Sequence, residues 1–528
     1  MQWDDRRGPP VIRPVAVVEV GTGGTMGMRS VEHVINGERR SSDGPVIEIT
    51  DPATGDVIAI ASTAGQAELD QTVTAATAAY ETWSQMSVSK RSAVLFSFRH
   101  LVATRRDELA RIVALEHGKT VEDAQGEITR GLENIDFACG LPQLAQGSYT
   151  DQLSTGVDVY SYREALGVVA GITPFNFPVM VPLWMAPIAI AAGNAFILKP
   201  SERDPSAALL IADLWHEAGL PAGVFNVLHG GPDLVNGILD HDGIEAVSFV
   251  GSTPIAQHVY QRASAAGKRV QALGGAKNHA VVMPDADIAE TADHLVAAGF
   301  GSAGQRCMAI SVVVAVGTKD ETSALVDAVA ERGRSVVVGP SSDEKSEMGP
   351  VITPQSRERI RSLVGKAETE GARVVLDGRE LTVPGHEGGY FVGPTLLDEV
   401  PVTSSAYTEE IFGPVLVVVH ATDLDEALAI VNANPYGNGA AIFTSSGAAA
   451  RTFQRGVQAG MVGINVPIPV PAGSFSFGGR KDSLFGDTHI YGREGLNFYT
   501  RAKAITSRWP QRGVRHAASF AFPSESHA

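Results

Sequence analysis

From Leu166 to Leu198 the chain runs 33 residues without a charged side chain. A helix of that length could cross a bilayer. Pro174, Pro178, Pro182 and Pro187 interrupt it, and Asn176 and Asn194 add polar groups. Each proline inside a helix removes a backbone hydrogen bond and clashes with the carbonyl four residues back. The stretch therefore reads as buried strand, loop, helix and strand, which only a sizeable core can cover.

The sequence on either side fits that reading. Strand-like and helical segments alternate as Val168–Ile172, helix 181–192, Ala195–Leu198, helix 205–218, Phe225–Leu228, Ala246–Val250 and helix 253–266. Strands alternating with helices of this length predict parallel βαβ units in a doubly wound sheet. A second alternating series runs from Ala280 to about residue 465, and Pro467, Pro469 and Pro471 then mark irregular chain. Upstream, Val34-Ile35-Asn36-Gly37-Glu38-Arg39 predicts a hairpin. Residues 64–86 have helical composition. Residues 121–140 form an amphipathic pattern with Ile128, Leu132, Ile135 and Cys139 on one stripe. Leu496–Ile505 reads as a late strand.

Composition narrows the function. The 528 residues carry 59 acidic and 42 basic side chains, a formal charge of −17, which disfavours general nucleic-acid binding. Two cysteines, Cys139 and Cys307, exclude a disulfide framework or a Cys-rich zinc site and suit a reducing, cytoplasmic compartment. No ligand-spaced cluster suggests any other metal. Residues 1–28 lack the apolar core of a secretory signal. Their Gly21-Thr22-Gly23-Gly24 run has Met26 where a dinucleotide fingerprint needs glycine. They read as a disordered extension, with Met26 or Met28 as an alternative start.

The candidate chemistry centres on Gly301-Ser302-Ala303-Gly304-Gln305-Arg306-Cys307. A cysteine beside arginine after a small-residue turn can be an activated thiolate, although a buried structural cysteine is the ordinary alternative. Cys139, on an apolar stripe, is structural. Thr173-Pro174-Phe175-Asn176-Phe177-Pro178 ends a strand and holds an asparagine amide between prolines, suited to an oxyanion or to capping a turn. Lys199, Glu202 and Arg203 follow the next strand, where α/β sheets bind ligands. They could hold ribose hydroxyls, with the acid favouring NAD over NADP, or form a solvated ion pair. Ser252 starts a helix that could face a pyrophosphate. Glu410 lies in Glu409-Glu410-Ile411-Phe412-Gly413-Pro414 and alone says little.

Together, FNFP, KPSE, FVGS, GQRC and EEIFGPV resemble the aldehyde dehydrogenase superfamily in order and spacing, from about Val34 to about Ser507. The resemblance implies a Rossmann-like NAD-binding domain (29–145 and 165–273), a catalytic α/β domain (274–482) and a small β oligomerisation arm (146–164 and 483–507), with a flexible tail at 508–528. It makes Cys307 the nucleophile and Asn176 the oxyanion donor, with the Cys307 backbone N–H. Thr173, Phe175, Lys199, Glu202, Arg203, Ser252 and Glu410 become cofactor-binding residues, and a homotetramer is implied.

One departure points to a branch. Hydrolytic members carry a glutamate base before a Gly-Gly-Lys-like segment, whereas here 268–279 contains no carboxylate. A positioned base contributes about 10²–10⁴-fold, and a thiol acceptor needs it less than water does. GAKNH, GQRCMA, NVPIPVP and Tyr491-Gly492-Arg493-Glu494-Gly495 resemble the CoA-acylating methylmalonate-semialdehyde dehydrogenases. That implies NAD- and CoA-dependent oxidative decarboxylation of methylmalonate or malonate semialdehyde, as in valine catabolism, with Arg130 and Arg306 holding the substrate carboxylate. Without the resemblance, Arg130 reads as a solvated arginine near Glu127 and Glu133. A hydrolytic aldehyde dehydrogenase and an inactive homologue are the alternatives.

Overall fold

The uncharged stretch folds as strand Val168–Ile172, a turn, helix Met180–Ala192 and strand Ala195–Lys199. Pro182 falls in the helix's first turn, where backbone N–H groups have no helical partner, so it costs little there. Every residue of the helix and of both strands is buried. The computed structural model describes residues 29–509. The expectations for 1–28 and for nearly all of 508–528 lie outside the described residues. Among those described, no helix is long and apolar enough to cross a membrane.

Two large sheets organise the chain. The first has eight strands. Its centre places Arg269–Leu273, Ala246–Val250, Val168–Ile172, Ala195–Lys199 and Phe225–Val227 side by side and parallel. The predicted hairpin, His33–Ile35 and Glu38–Arg40, closes one edge through a turn with Asn36 and Gly37 both at positive φ. That conformation is what an Asn-Gly pair adopts most readily. The second sheet has seven strands. Asn278–Val282, Ile310–Val316, Thr395–Asp398, Val415–Ala421, Gly439–Phe443 and Met461–Ile464 run parallel within it. Their Val- and Ile-rich sequences suit strands covered on both faces.

Only Gly274–Lys277 separate the last central strand of the first sheet from the first strand of the second. Parallel strands share a direction, so the carboxyl ends of the first sheet meet the amino ends of the second across one seam.

A third sheet joins Tyr149–Ser154, Val157–Ala165 and Thr500–Ser507. The late strand begins later than expected. Residues Gly492–Phe498 form a helix whose Leu496 and Phe498 are buried, and burial of these two decides its course. Nor does 483–507 form one arm, because Leu484–Phe485 pairs with Ala272 and Leu273 at the edge of the first sheet.

Trp83, fully buried on helix Gln66–Trp83, donates its indole N–H to the Ile190 carbonyl at 2.8 Å. Trp83→Ala should cost about 3–5 kcal/mol of stability. Denaturant titration tests this, and a loss under about 1 kcal/mol would mean the surrounding helices close the cavity.

Candidate active site

The seam gathers residues from both sheets. Thr173, Phe175 and Asn176 follow one strand of the first sheet, Lys199 ends the next, and Ser252 follows a third. Cys307, Glu410, Asn278 and Asn438 precede or begin strands of the second sheet. Cys307 and Glu410 line one cavity with Ala276, Asn278 and Phe412.

The loop before Cys307 is held in an uncommon conformation. Ser302 and Ala303 have φ of 53° and 51°, and Gly304 has 69°. A Cβ on Gly304 would lie 2.1 Å from the Gly413 carbonyl oxygen, so glycine is required on two counts. The Cys307 carbonyl accepts from the amides of Asn278 at 2.9 Å and Asn438 at 3.0 Å, which fixes the residue while leaving the thiol free. Burial pushes the thiol up to about 12, and the Glu410 carboxylate adds to the effect. In the ligand-free protein Cys307 is therefore a thiol near neutrality, not a thiolate held by Arg306. Cys139 is buried on its predicted stripe and also pushed up, to about 11, in keeping with a structural role.

The expected arginines are placed less simply. Arg306 pairs with Asp123, and its guanidinium lies against Gly301. Arg130 is exposed and pairs with Glu133 at 3.0 Å. Glu127 is no surface partner of Arg130, because it is fully buried against Lys119. Burial raises the Tyr491 phenol, with the Cys307 thiol adding to the shift and Arg130 opposing it, and its hydroxyl donates to the Pro471 carbonyl at 3.1 Å.

The carboxyl ends of the first sheet's central strands carry the residues expected to bind a cofactor. Lys199 pairs with Glu202 at 2.8 Å. Burial raises the Glu202 carboxyl, but Lys199, a backbone hydrogen bond and Arg203 together bring the net shift downward. Ser252, exposed at the N-cap of helix Thr253–Ala265, makes no capping bond with its side chain. Arg203 is exposed, its backbone N–H bonded to Ser201. Thr173 is buried, and its hydroxyl finds no partner among the described residues. Phe175 meets Phe412 edge to face at 5.8 Å, joining the two sides of the seam.

Glu410 alters the argument from the missing base. Its carboxylate accepts from the Ala276 N–H at 2.8 Å and lies so close to Gly275 that a Cβ there would be 2.4 Å away. A carboxylate therefore reaches the segment whose own sequence has none. Burial raises its carboxyl, opposed by the Ala276 bond and by Lys277. Lys277, pulled down to about 7 by burial, donates to the carbonyls of Ala406 at 2.6 Å and Glu409 at 2.7 Å and so anchors the loop carrying Glu410. Sequence reasoning missed Lys119, Asp123, Glu127, Lys277, Asn278, Asn438 and Tyr491. The conspicuous motif residues beside several of them were the only signal.

The profile of the aldehyde dehydrogenase family matches residues 39–505. The chain belongs to that family. Within it, the chain is 48% identical to a malonate-semialdehyde dehydrogenase of Pseudomonas aeruginosa, covering 94% of this chain and 100% of the relative. It is 48% identical to an acylating, mitochondrial methylmalonate-semialdehyde dehydrogenase of Arabidopsis thaliana, covering 92% of this chain and 79% of the relative. A crystal structure of methylmalonate-semialdehyde dehydrogenase from Oceanimonas doudoroffii superposes with a TM-score of 0.91 at 50% identity, covering 93% and 100% of the two chains. A putative methylmalonate-semialdehyde dehydrogenase from Sinorhizobium meliloti, complexed with NAD, gives 0.91 at 48% identity, covering 92% and 99%.

Because a neighbouring anion disfavours a thiolate, Glu410→Gln should lower the Cys307 pKa in ligand-free protein. Iodoacetamide labelling of the Cys307 peptide at fixed neutral pH should then accelerate, on the order of tenfold for each unit lost. In the unaltered protein labelling should climb through the alkaline range without levelling. An unchanged rate in the variant would remove Glu410 as the opposing charge.

Proposed function

We propose that the protein is an NAD- and CoA-dependent semialdehyde dehydrogenase converting methylmalonate semialdehyde to propionyl-CoA and malonate semialdehyde to acetyl-CoA. The observation that carries the reading is the placement of Cys307 in the seam. Its backbone is fixed by two amides, and the Asn176 loop follows strand Val168–Ile172 of the first sheet. Relatives of near-half identity over most of the chain carry the corresponding names.

Cys307 gives its proton to solvent or a neighbouring base and attacks the aldehyde carbon, forming a thiohemiacetal. Asn176 and the Cys307 backbone N–H hold the developing oxyanion. A preorganised donor of this kind contributes about 10²–10³-fold. NAD⁺, when bound, accepts the hydride. Thr173, Phe175, Lys199, Glu202, Arg203, Ser252 and Glu410 would hold the cofactor. Collapse of the thiohemiacetal leaves an acyl thioester on Cys307. Loss of the substrate's β-carboxylate as CO₂ sends the electron pair toward the thioester carbonyl, where Asn176 would hold the enolate oxygen, and a proton from solvent at the α-carbon then gives the propionyl or acetyl thioester. The CoA thiol then takes the acyl group and frees Cys307.

Arg306 and Arg130 are the carboxylate ligands in this reading. Planar guanidinium groups bind carboxylate in bidentate fashion, and each arginine here has one acidic neighbour to share. The chain divides into the cofactor-binding, catalytic and arm regions set out from the sequence, with the arm limited to strands 149–165 and 500–507. Tyr149 and Leu153 are exposed on its outer strand, and an unpaired edge of that kind suits pairing with other copies in a tetramer.

Glu410 favours a second reading, in which it recruits water and the product is the free acid. Its hydrogen bond to Ala276 ties one oxygen to the backbone, which speaks for the thiol acceptor. Rapid mixing separates the readings. We expect a burst of one NADH per site without CoA and sustained turnover with it. Brisk steady NADH formation without CoA would establish hydrolysis, and no burst would establish an inactive protein.

Arg306→Ala and Arg130→Ala should raise KM for malonate semialdehyde by at least about tenfold, the equivalent of one charge-assisted hydrogen bond. Propanal should be affected much less. Equal losses on both aldehydes would remove the arginines from carboxylate binding.

A further inference from the structure

Lys119 and Glu127 form an ion pair whose side chains are 1% and 0% exposed, with Nζ and Oε2 2.8 Å apart. Removing two charges from water is expensive, and apolar residues of similar volume often stabilise a fold as well or better. A pair this deep therefore needs a reason other than glue.

Its remaining contacts supply one. Lys119 Nζ also donates to the backbone carbonyl of Asn176 at 2.7 Å, and the ammonium lies 4.5 Å from the centre of the Phe177 ring. Glu127 Oε1 accepts from the backbone N–H groups of Val179 at 2.8 Å and Met180 at 3.0 Å. Those groups open helix Met180–Ala192, whose N-cap position is Val179, a residue with no side chain able to cap it. Apart from the Lys119–Glu127 bond, each of these contacts falls on residues 176–180. The bond to Asn176 uses its carbonyl and leaves its carboxamide for another task.

We propose that the Lys119–Glu127 pair positions the oxyanion donor, locking the Asn176 backbone so that the carboxamide is aimed before substrate arrives. The inference rests on the reading of Asn176 as that donor. Neither residue touches the reacting atoms; both act through Asn176. The pair also joins that loop to helix Val121–Cys139, which carries Arg130 and Asp123. A shift of about 1 Å in such a group can cost on the order of 10²-fold in rate.

Lys119→Met alone would leave Glu127 buried and unpaired, and could unfold the protein. The test therefore uses Lys119→Met with Glu127→Gln, which removes both charges and keeps an acceptor for Val179 and Met180. In the intact enzyme this double variant should melt near the parent temperature and bind NAD normally. It should slow the NADH burst on the order of tenfold at saturating semialdehyde, with KM little changed. In an Asn176→Ala background, already slowed about 10²–10³-fold, it should add no further slowing. A full-speed burst in the double variant, or the same slowing in both backgrounds, would overturn the proposal. A full-speed burst in Asn176→Ala itself would instead overturn the oxyanion assignment, and this proposal with it.

Discussion

The carbonyl of Cys307, held by two asparagine amides from separate parts of the second sheet, is the fixed point on which the proposed chemistry depends. A nucleophile has to be immobile in its backbone and open at its sulfur. Helix and strand interiors meet the first need but enclose the side chain. Here a loop at positive φ presents the thiol, and hydrogen bonds to its peptide oxygen replace the missing secondary structure. Asn278 further ties this point to the fold, since its Oδ1 accepts from the Gly439 N–H at 2.9 Å. The amino ends of two neighbouring strands thus set the position of one sulfur.

That placement explains which residues were legible in the sequence. The first sheet obeys the rule that parallel α/β sheets bind at their carboxyl ends. Thr173, Lys199 and Ser252 could be located from strand periodicity alone. The second sheet contributes its amino ends, because four residues after the last strand of the first it starts again across the seam. No periodicity rule points there, so Cys307 and Glu410 stood out by motif and not by position. Likewise Leu496 and Phe498 alternate as a strand would, yet their burial favours a helix before the arm strand begins.

Long-range polar contacts were illegible for a different reason. Arg306 finds Asp123 across 183 residues of sequence, and Glu410 finds the Ala276 N–H across 134. Neither pairing has a local signature, since spacing rules concern neighbours on one element. The absence of a general base holds for residues 268–279 as sequence, but it concerns a region of space, and Glu410 enters that space from the loop before strand Val415–Ala421. The segment is nevertheless shaped to receive it. Gly275 has no side chain because the carboxylate occupies where its Cβ would lie. Glycine at this position is a packing requirement of the Glu410 carboxylate.

Helix Val121–Cys139 carries this logic furthest. Ile128, Leu132, Ile135 and Cys139 make the expected apolar stripe, and all four are buried. At 3.6 residues per turn, Asp123, Glu127 and Arg130 fall on one arc on the opposite side. In an ordinary amphipathic helix that arc would face water. Here its three members differ in environment: Asp123 is half-buried against Arg306, Glu127 is fully buried beside the Asn176 loop, and Arg130 is exposed against Glu133. The polar face is thus graded in burial, from the exposed Arg130 to the fully buried Glu127. The charge that costs most to bury is the one bonded to the backbone of residues 179 and 180, just beyond Asn176. A helix read from its hydrophobic stripe alone would be assigned to the core, when its other face also holds the backbone at the start of helix Met180–Ala192.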